Sequence, residues 1–330
     1  MKHIIFGGDG FLGTELTRML VERGEQVLIC DEKKSTEFGS YDSELVTYLK
    51  MDVREPSTFE SISVDADDVV YHFAARLLVP ILPRAERKDY FWQALYVGTE
   101  NVLQWMEKNQ LSKLVYYTTD MVYGHTEFNP RTEDHPCAPL GPYGDAKYQT
   151  EKLVDEYRAK GFNITLFRPR LIIGHGRLGI LEKLFKLVDM NLPVPTIGNG
   201  KNYYQFISVS DCALACLAAV EAGLPNENYN LGSENPPTVN ELLKDLIREA
   251  GSKSILIPTP AFAVKATLAA FDRIGKPIMD PEQYLIADET CILDCSKAAR
   301  ELNWHAQDSD TSMLRVAYQD YKAGKSRPSI

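Results

Sequence analysis

The first half of the chain alternates short apolar runs with longer segments in which apolar residues recur at helical spacing. This alternation predicts strands and helices that follow one another along the chain. Such an order is typical of a parallel sheet with helices on both faces. The predicted strands cover residues 3–6, 26–30, 46–51, 68–73, 113–118 and 163–167, and the predicted helices cover residues 11–23, 56–61, 87–109 and 143–160.

The pattern changes after about residue 174, where glycine and proline become frequent and helical patterns dominate. A short piece at residues 229–232 is expected to return to the first sheet. We therefore predict an α/β protein with a doubly wound parallel sheet at residues 1–175 and a smaller C-terminal α/β domain at residues 176–330. A return to the first domain is expected at about residues 205–232. The later predicted helices cover residues 178–189, 209–222, 239–250, 260–274, 296–302 and 311–324.

The composition is that of an ordinary soluble globular protein, with 330 residues of which 44% are hydrophobic and 25% charged. A formal net charge of -10 and a pI of about 5.2 argue against general nucleic-acid binding. The sequence contains no run of about 18 apolar residues and does not begin with a signal-like segment. We expect a cytoplasmic protein with no nucleic-acid or membrane partner.

Six cysteines are present, and two C-x-x-x-C spacings among them could suggest a metal site. Cys212 and Cys216, however, lie in an apolar helical pattern, which favours burial as small residues. No metal site is predicted, and a cytosolic location argues against disulfides.

A glycine-rich turn follows the first predicted strand and opens the first predicted helix. Gly7, Gly10 and Gly13 let the backbone approach a pyrophosphate, and the helix start that contains Phe11 and Leu12 favours its negative charge. A turn of this kind between a strand and a helix is the dinucleotide-binding fingerprint of a Rossmann fold.

An acidic residue about 20 positions further along bears on the choice of dinucleotide. Asp31 ends the second predicted strand, where a carboxylate accepts hydrogen bonds from the ribose hydroxyls and repels the 2′-phosphate of NADP. Lys33 and Lys34 follow closely and could still bind that phosphate. The balance favours NAD.

The third and fourth predicted strands end in residues that suit further cofactor contacts. Asp52, followed by Val53, could meet the adenine amino group, or it could cap the helix that starts near residue 55. Phe73-Ala74-Ala75 brings small residues that let a cofactor pass close to the backbone.

Tyr143 and Lys147 stand four residues apart, so they share one face of a helix. A nearby ammonium favours the phenolate and should lower the pKa of the tyrosine from about 10 toward neutrality. Such a phenol can take a proton from an alcohol while hydride leaves the same carbon. The glycine-rich turn implies a cofactor that accepts the hydride.

With these pieces in place, nearly the whole chain resembles the extended short-chain dehydrogenase/reductase superfamily, which holds nucleotide-sugar epimerases and dehydratases. The landmarks that carry the resemblance are Gly7-x-x-Gly10-x-x-Gly13, Asp31, Asp52-Val53, His72-Phe73-Ala74-Ala75, residues 118–124, Tyr143-x-x-x-Lys147 and Arg168-Pro169. The resemblance also implies that the C-terminal domain binds substrate.

The resemblance implies a role for each matching residue. Tyr143 would be the catalytic base, and Lys147 would bind the nicotinamide ribose and lower the pKa of that tyrosine. Thr119 would hydrogen-bond the reacting hydroxyl, with an ordinary strand-end threonine as the alternative. Asp120 would assist, or only cap the following turn. Cofactor contacts are also expected from Thr118 and Arg170.

Three departures from the family pattern bear on the reaction. Met121 stands where sugar dehydratases carry a glutamate, and a thioether cannot protonate a leaving hydroxyl. Leu171 replaces an asparagine that contacts substrate in sugar epimerases, and Tyr204 replaces an arginine that often binds the diphosphate. Residues 168–176 and 294–298 look more like the branch of 3β-hydroxysteroid dehydrogenases and hopanoid-associated sugar epimerases.

Basic residues near the expected substrate cleft could still bind a diphosphate. Arg170 and Arg177 are the first candidates, with Lys183 and Lys186 as further ones. For the two lysines, solvated charge on a helix surface is an alternative of at least equal weight.

Three hypotheses follow for the function. The first is an NAD-dependent epimerase of a nucleotide-linked sugar, which oxidises the sugar transiently and keeps its cofactor. The second is an alcohol dehydrogenase or ketone reductase that uses the same residues and exchanges its cofactor, and Leu171 and Tyr204 favour it. The acidic, soluble character of the chain, with Arg170 and Arg177, fits the first hypothesis slightly better. The third is a non-catalytic NAD-binding protein, which the retained Tyr143, Lys147 and Thr119 disfavour.

Members of this superfamily commonly dimerise through helices that match residues 87–109 and 143–160. The first of these segments has apolar residues on more than one face, whereas a helix covering a sheet needs only one apolar stripe. A homodimer is therefore expected, and burial under the substrate domain is the alternative.

Overall fold

Seven parallel strands form the central sheet of the computed structural model, which describes residues 1–32, 43–78, 81–174 and 181–324. Their spatial order is β3-β2-β1-β4-β5-β6-β10. The strands of the chain are β1 (Lys2–Phe6), β2 (Gln26–Asp31), β3 (Val46–Lys50), β4 (Val69–His72), β5 (Lys113–Tyr117), β6 (Asn163–Pro169), β7 (Leu171–Ile173), β8 (Val194–Ile197), β9 (Phe206–Ser208), β10 (Asn228–Leu231) and β11 (Leu256–Thr259). The predicted Rossmann-type α/β class is confirmed.

Helices follow most of the strands. They are α1 (Phe11–Glu22), α2 (Arg84–Phe91), α3 (Gly98–Lys108), α4 (Pro142–Ala159), α5 (Leu181–Asp189), α6 (Val209–Glu221), α7 (Val239–Glu249), α8 (Ala261–Arg273), α9 (Pro281–Tyr284), α10 (Ser296–Leu302) and α11 (Asp310–Lys322). A π-helical segment, Trp92–Val97, joins α2 to α3, and short 3-10 helices cover Pro56–Ser61 and Asp120–Val122.

The two faces of the sheet carry separate apolar cores, which is why its strands are buried on both sides. One core packs α1 and α6 against the sheet, and Cys212 and Cys216 lie in it, fully buried, as predicted. The other core packs α3 and α4 against the opposite face, through residues such as Trp105 and Val154. Helices on both faces are the doubly wound arrangement.

The predicted return to the first sheet is β10, which pairs in parallel with β6. A third apolar core joins α5, α7 and α11. Two small parallel sheets, β7–β9 and β8–β11, belong to this region. The domain boundary at residue 175 stays a prediction.

The segment that was expected to form a dimer is partly buried within the chain itself. Phe91 and Leu95 are buried, whereas Trp92, Tyr96 and Val97 remain half-buried. None of the helices in the described ranges is long and apolar enough to cross a membrane.

Candidate functional site

The glycine-rich turn lies directly against the end of β4. Gly7 has a φ of +79°, and a Cβ at this position would lie 2.5 Å from the backbone nitrogen of Ala74. A Cβ on Gly13 would lie 2.4 Å from the carbonyl oxygen of Gly7. Only glycine fits at either position, and the result is a smooth backbone cradle at the carboxyl edge of the sheet.

The start of α1 can receive an anion. Its N-cap residue is Gly10, which has no side chain of its own to cap this end of the helix. The first N–H groups of a helix have no partner within the helix and carry partial positive charge. Phe11, Leu12 and Gly13 form this first turn, so the cradle fits the pyrophosphate of a dinucleotide.

Negative charge gathers where the adenosine ribose is expected. The Oδ2 of Asp31 accepts a hydrogen bond of 3.1 Å from the backbone N–H of Asp9. Burial raises the pKa of the neighbouring Tyr48 phenol, and the carboxylates of Asp31 and Asp9 raise it further. Such a field repels a 2′-phosphate and so favours NAD. Lys33 and Lys34, the opposing candidates, lie outside the described residues.

Asp52 takes part in an ion-pair network that sequence reasoning missed. Its carboxylate accepts hydrogen bonds of 2.9 and 3.0 Å from Nε of Arg54, whose Nη2 lies 3.0 Å from Glu32. Glu32 also pairs with Arg76 at 3.2 Å. Burial works against the charge of Asp52, but the hydrogen bonds from Arg54 outweigh it, so the pKa of Asp52 is lowered.

The alternative of Asp52 as a helix cap is wrong. The N-cap residue of the 3-10 helix Pro56–Ser61 is Glu55. Val53, next to Asp52, is buried, and its carbonyl accepts a hydrogen bond of 2.9 Å from Asn101.

Tyr143 and Lys147 lie one turn apart on α4, and both are buried. The ring of Phe91 packs edge-on against Tyr143, with 5.4 Å between centroids. Nζ of Lys147 donates a hydrogen bond of 2.8 Å to the carbonyl of Tyr117, the last residue of β5. Burial lowers the pKa of Lys147 to about 7, and the charge of Glu151 counteracts that effect in part.

The end of β5 carries the other predicted catalytic residues. The hydroxyl of Thr119 accepts a hydrogen bond of 3.2 Å from the N–H of Met121, so Thr119 caps the short helix that follows. The turn cap that was an alternative role for Asp120 is therefore filled by Thr119. The Thr118 hydroxyl is engaged elsewhere, because it donates to Glu151 at 2.6 Å.

Arg170 forms a buried ion pair on the substrate side of the site. Its Nη1 lies 2.6 Å from Oδ2 of Asp120, and its guanidinium lies 5.2 Å from the centroid of the Tyr204 ring. The side chain predicted to contact the cofactor is thus held by Asp120 and Tyr204. Sequence spacing gave no sign of this pair, whose members are 50 residues apart.

The remaining substrate candidates are spread out. Leu171 lies on β7, opposite Phe206 of β9. Lys183 and Lys186 are exposed on α5, which agrees with solvated surface charge. Arg177 lies outside the described residues.

The parallel strands place the residues of the candidate site along one edge of the central sheet. β4 lies between β1 and β5, so Gly7, the segment Phe73-Ala74-Ala75 and Thr119 follow three adjacent strands at their carboxyl ends. Ligands of open α/β sheets bind outside this edge. A backbone cradle, an acid at the second strand and a buried tyrosine–lysine pair define a dinucleotide-dependent α/β enzyme.

Comparison with known proteins identifies the family. The chain belongs to the NAD dependent epimerase/dehydratase family, whose model matches residues 3–232. It is an enzyme of this family, and NAD is the cofactor. The narrower branch suggested by residues 168–176 and 294–298 stays a prediction.

Several of the similar proteins are named as nucleotide-sugar epimerases. A putative UDP-glucose 4-epimerase of Methanocaldococcus jannaschii is 28% identical over 255 residues, which are 75% of this chain and 82% of the relative. The UDP-glucose 4-epimerase of Thermotoga maritima, solved with UDP-glucose, has a TM-score of 0.79 at 22% identity and covers 98% of this chain and 99% of its own. A UDP-glucuronic acid 4-epimerase of Bacillus cereus, solved with NAD, has a TM-score of 0.76 at 20% identity. The match covers 98% of this chain and 100% of that structure's chain. At such identities the two structures show the fold.

The buried lysine makes stability depend on pH. Because the folded state binds fewer protons at Lys147 than the unfolded state does above pH 7, the free energy of unfolding should rise with pH. Between pH 7 and pH 9 the rise should be about 2 kcal/mol larger in the wild type than in Lys147→Met. Urea denaturation of nucleotide-free protein at each pH measures this free energy of unfolding. Lys152→Met, exposed on the same helix, should follow the wild type, and parallel pH curves for wild type and Lys147→Met would contradict the assignment.

Proposed function

We propose that the protein is an NAD-dependent epimerase of a nucleotide-linked sugar, which it oxidises transiently to a keto-sugar. The observation that carries the proposal is the buried Tyr143–Lys147 pair at the end of β5, on the same sheet edge as the glycine cradle. Family membership and the nucleotide-sugar epimerases among the relatives support it.

The chain's own residues account for the movement of the proton. The phenol of Tyr143 takes the proton of the reacting hydroxyl, and the ammonium of Lys147 stabilises the phenolate that accepts it. Thr119 donates a hydrogen bond to the same hydroxyl oxygen. NAD, which the glycine cradle and Asp31 would hold, would supply the acceptor for the hydride and the donor that returns it to the other face of the keto-sugar. Tyr143 then gives the proton back, so no net proton or electron is lost.

Dehydration is disfavoured at the position that would supply the acid. Met121 has no proton to donate. Asp120 accepts a hydrogen bond of 2.6 Å from the buried Arg170, so its carboxylate is engaged as an acceptor. The Asp120–Arg170 ion pair therefore favours a reaction in which Tyr143 alone acts as base and as acid.

A reductase with an exchanging cofactor is the second candidate. Leu171 and the ring of Tyr204 give the substrate side an apolar character, which suits an alcohol or ketone without a diphosphate. A non-catalytic protein is disfavoured, because the tyrosine, the lysine and the threonine are all retained.

The bound nucleotide distinguishes the first two candidates. Denaturing the purified protein and identifying the released nucleotide by mass should give NAD in about equimolar amount, because an epimerase regenerates its cofactor in each cycle. UDP-glucose and other nucleotide sugars are then screened for epimerisation. An empty site, with NADH oxidation by ketones, would favour the reductase. Recovered NADP would contradict the role given to Asp31.

Removal of one hydroxyl tests the catalytic base. Tyr143→Phe should keep its fold and its bound NAD, while turnover falls by about 10²- to 10⁴-fold, the usual contribution of a general base. Tyr148→Phe, on the same helix, is the matched control and should keep wild-type turnover. Wild-type turnover in Tyr143→Phe would show that another group moves the proton.

We also propose a homodimer through α2, α3 and α4. The rings of Trp92 and Tyr96 stack at 4.4 Å between centroids and remain half-buried, as an interface would leave them in the isolated chain. Sedimentation at several concentrations should show a dimer, and Trp92→Glu should shift it to monomer. Lys244→Glu, exposed on α7, should leave the dimer unchanged. A monomeric wild type at every concentration would refute the interface.

A further inference from the structure

A carboxylate from far along the chain lies at the first turn of α4. Oε1 of Glu282 accepts a hydrogen bond of 2.8 Å from the N–H of Tyr143, and Oε2 accepts one of 2.8 Å from the N–H of Gly144. The N-cap residue, Gly141, has no side chain to fill this role. Glu282 therefore satisfies two helix-start N–H groups, one of which belongs to the proposed catalytic base.

The surrounding backbone leaves room for this carboxylate. A Cβ on Gly141 would lie 2.6 Å from Oε1 of Glu282, and a Cβ on Gly144 would lie 2.9 Å from Oε2. Both positions have φ values outside the left-handed region, so the requirement for glycine is one of space. The helix start and the carboxylate therefore fit each other closely.

Glu282 is itself held by a buried polar network. Asp280 caps α9, where its Oδ1 accepts a hydrogen bond of 3.0 Å from the N–H of Glu282. Oδ2 of Asp280 lies 3.7 Å from Nε of Arg87, whose Nη2 also pairs with Asp272 of α8. The network thus connects the start of α4 with α2, α8 and α9.

We propose that Glu282 is a positioning residue that couples the C-terminal region to the proposed catalytic tyrosine. Its ionised carboxylate fixes the first turn of α4, and with it the backbone from which the Tyr143 side chain extends. Displacement of a reacting group by about 1 Å can cost about 100-fold in rate. The inference rests on the proposed role of Tyr143 as base.

The protonation state of Glu282 should control this coupling. Burial raises its pKa to about 7, while the N–H groups of Gly144 and Tyr143 lower it and the charges of Asp280 and Asp145 raise it. Arg87 pairs with Asp280, which in turn bonds the backbone of Glu282. The ionised form accepts both hydrogen bonds, whereas protonation turns one oxygen into a donor. Positioning is therefore expected above pH 7 and should be lost as pH falls through 7.

Glu282→Gln tests the coupling, because glutamine keeps the size and the fold but presents an NH₂ group to one of the two N–H donors. We expect kcat on the nucleotide sugar found in the screen, with UDP-glucose tried first, to fall about 10-fold or more. KM and bound NAD should stay near wild type. The acid-side loss of activity should keep only the contribution of Tyr143 itself, so the pH profile of Glu282→Gln should differ from that of the wild type. Gln283→Ala, on the same short helix, should change none of these.

An amide signal tests the contact without any turnover. In protein labelled with ¹⁵N-tyrosine, the Tyr143 amide is assigned by its loss in Tyr143→Phe. It should shift with a midpoint near pH 7 in the wild type, and the shift should be much smaller in Glu282→Gln, where only the side chains of Lys147 and Tyr143 still titrate nearby. A constant amide in the wild type overturns the proposal, and so does wild-type kcat with an unchanged pH profile in Glu282→Gln. Full turnover in Tyr143→Phe would instead refute the proposed base, and the coupling to catalysis with it, even if the amide titrates.

Discussion

Glu151 is the counter-charge on which the geometry of α4 depends. It lies one turn after Lys147 on the same helix, and its charge offsets part of the burial that lowers the pKa of that lysine. The same carboxylate accepts hydrogen bonds of 2.7 and 3.1 Å from Arg168 of β6 and one of 2.6 Å from Thr118. One buried acid therefore ties α4 to two strands, and removing either partner of such a pair is strongly destabilising.

The cofactor edge relies on backbone rather than on side chains. At Gly7 and Gly13 the chain approaches itself so closely that no Cβ fits, and this leaves N–H groups and a helix start facing a ligand. Further out, Asp31 accepts a hydrogen bond from the N–H of Asp9, and Arg54 binds both Asp52 and Glu32. The glycine cradle would suit any dinucleotide, and we propose that the charged groups around Asp31 select among dinucleotides.

The sheet, the glycine turn and the tyrosine–lysine pair were predictable because each depends on local periodicity or on a motif of short spacing. The contacts that were missed join residues far apart in the chain. Glu282 caps a helix that begins 140 residues earlier, and Arg170 pairs with Asp120 across 50 residues. Only the packing of the folded chain creates such pairs. For that reason Arg170 was assigned to the cofactor, although its partners are Asp120 and Tyr204.

The residues on the proposed substrate side favour a reaction that needs few protein side chains. Asp120 and Arg170 neutralise each other in a buried pair, so neither presents an unpaired charge to a leaving hydroxyl or a phosphate. On the proposed assignment, the protein groups at the reacting carbon are the phenol of Tyr143 and the hydroxyl of Thr119. These two groups suffice to take a proton from an alcohol and to return it, and an epimerase needs no other proton transfer from its side chains. Elimination would need a further acid, and at Met121 the chain carries a side chain that has no proton to give.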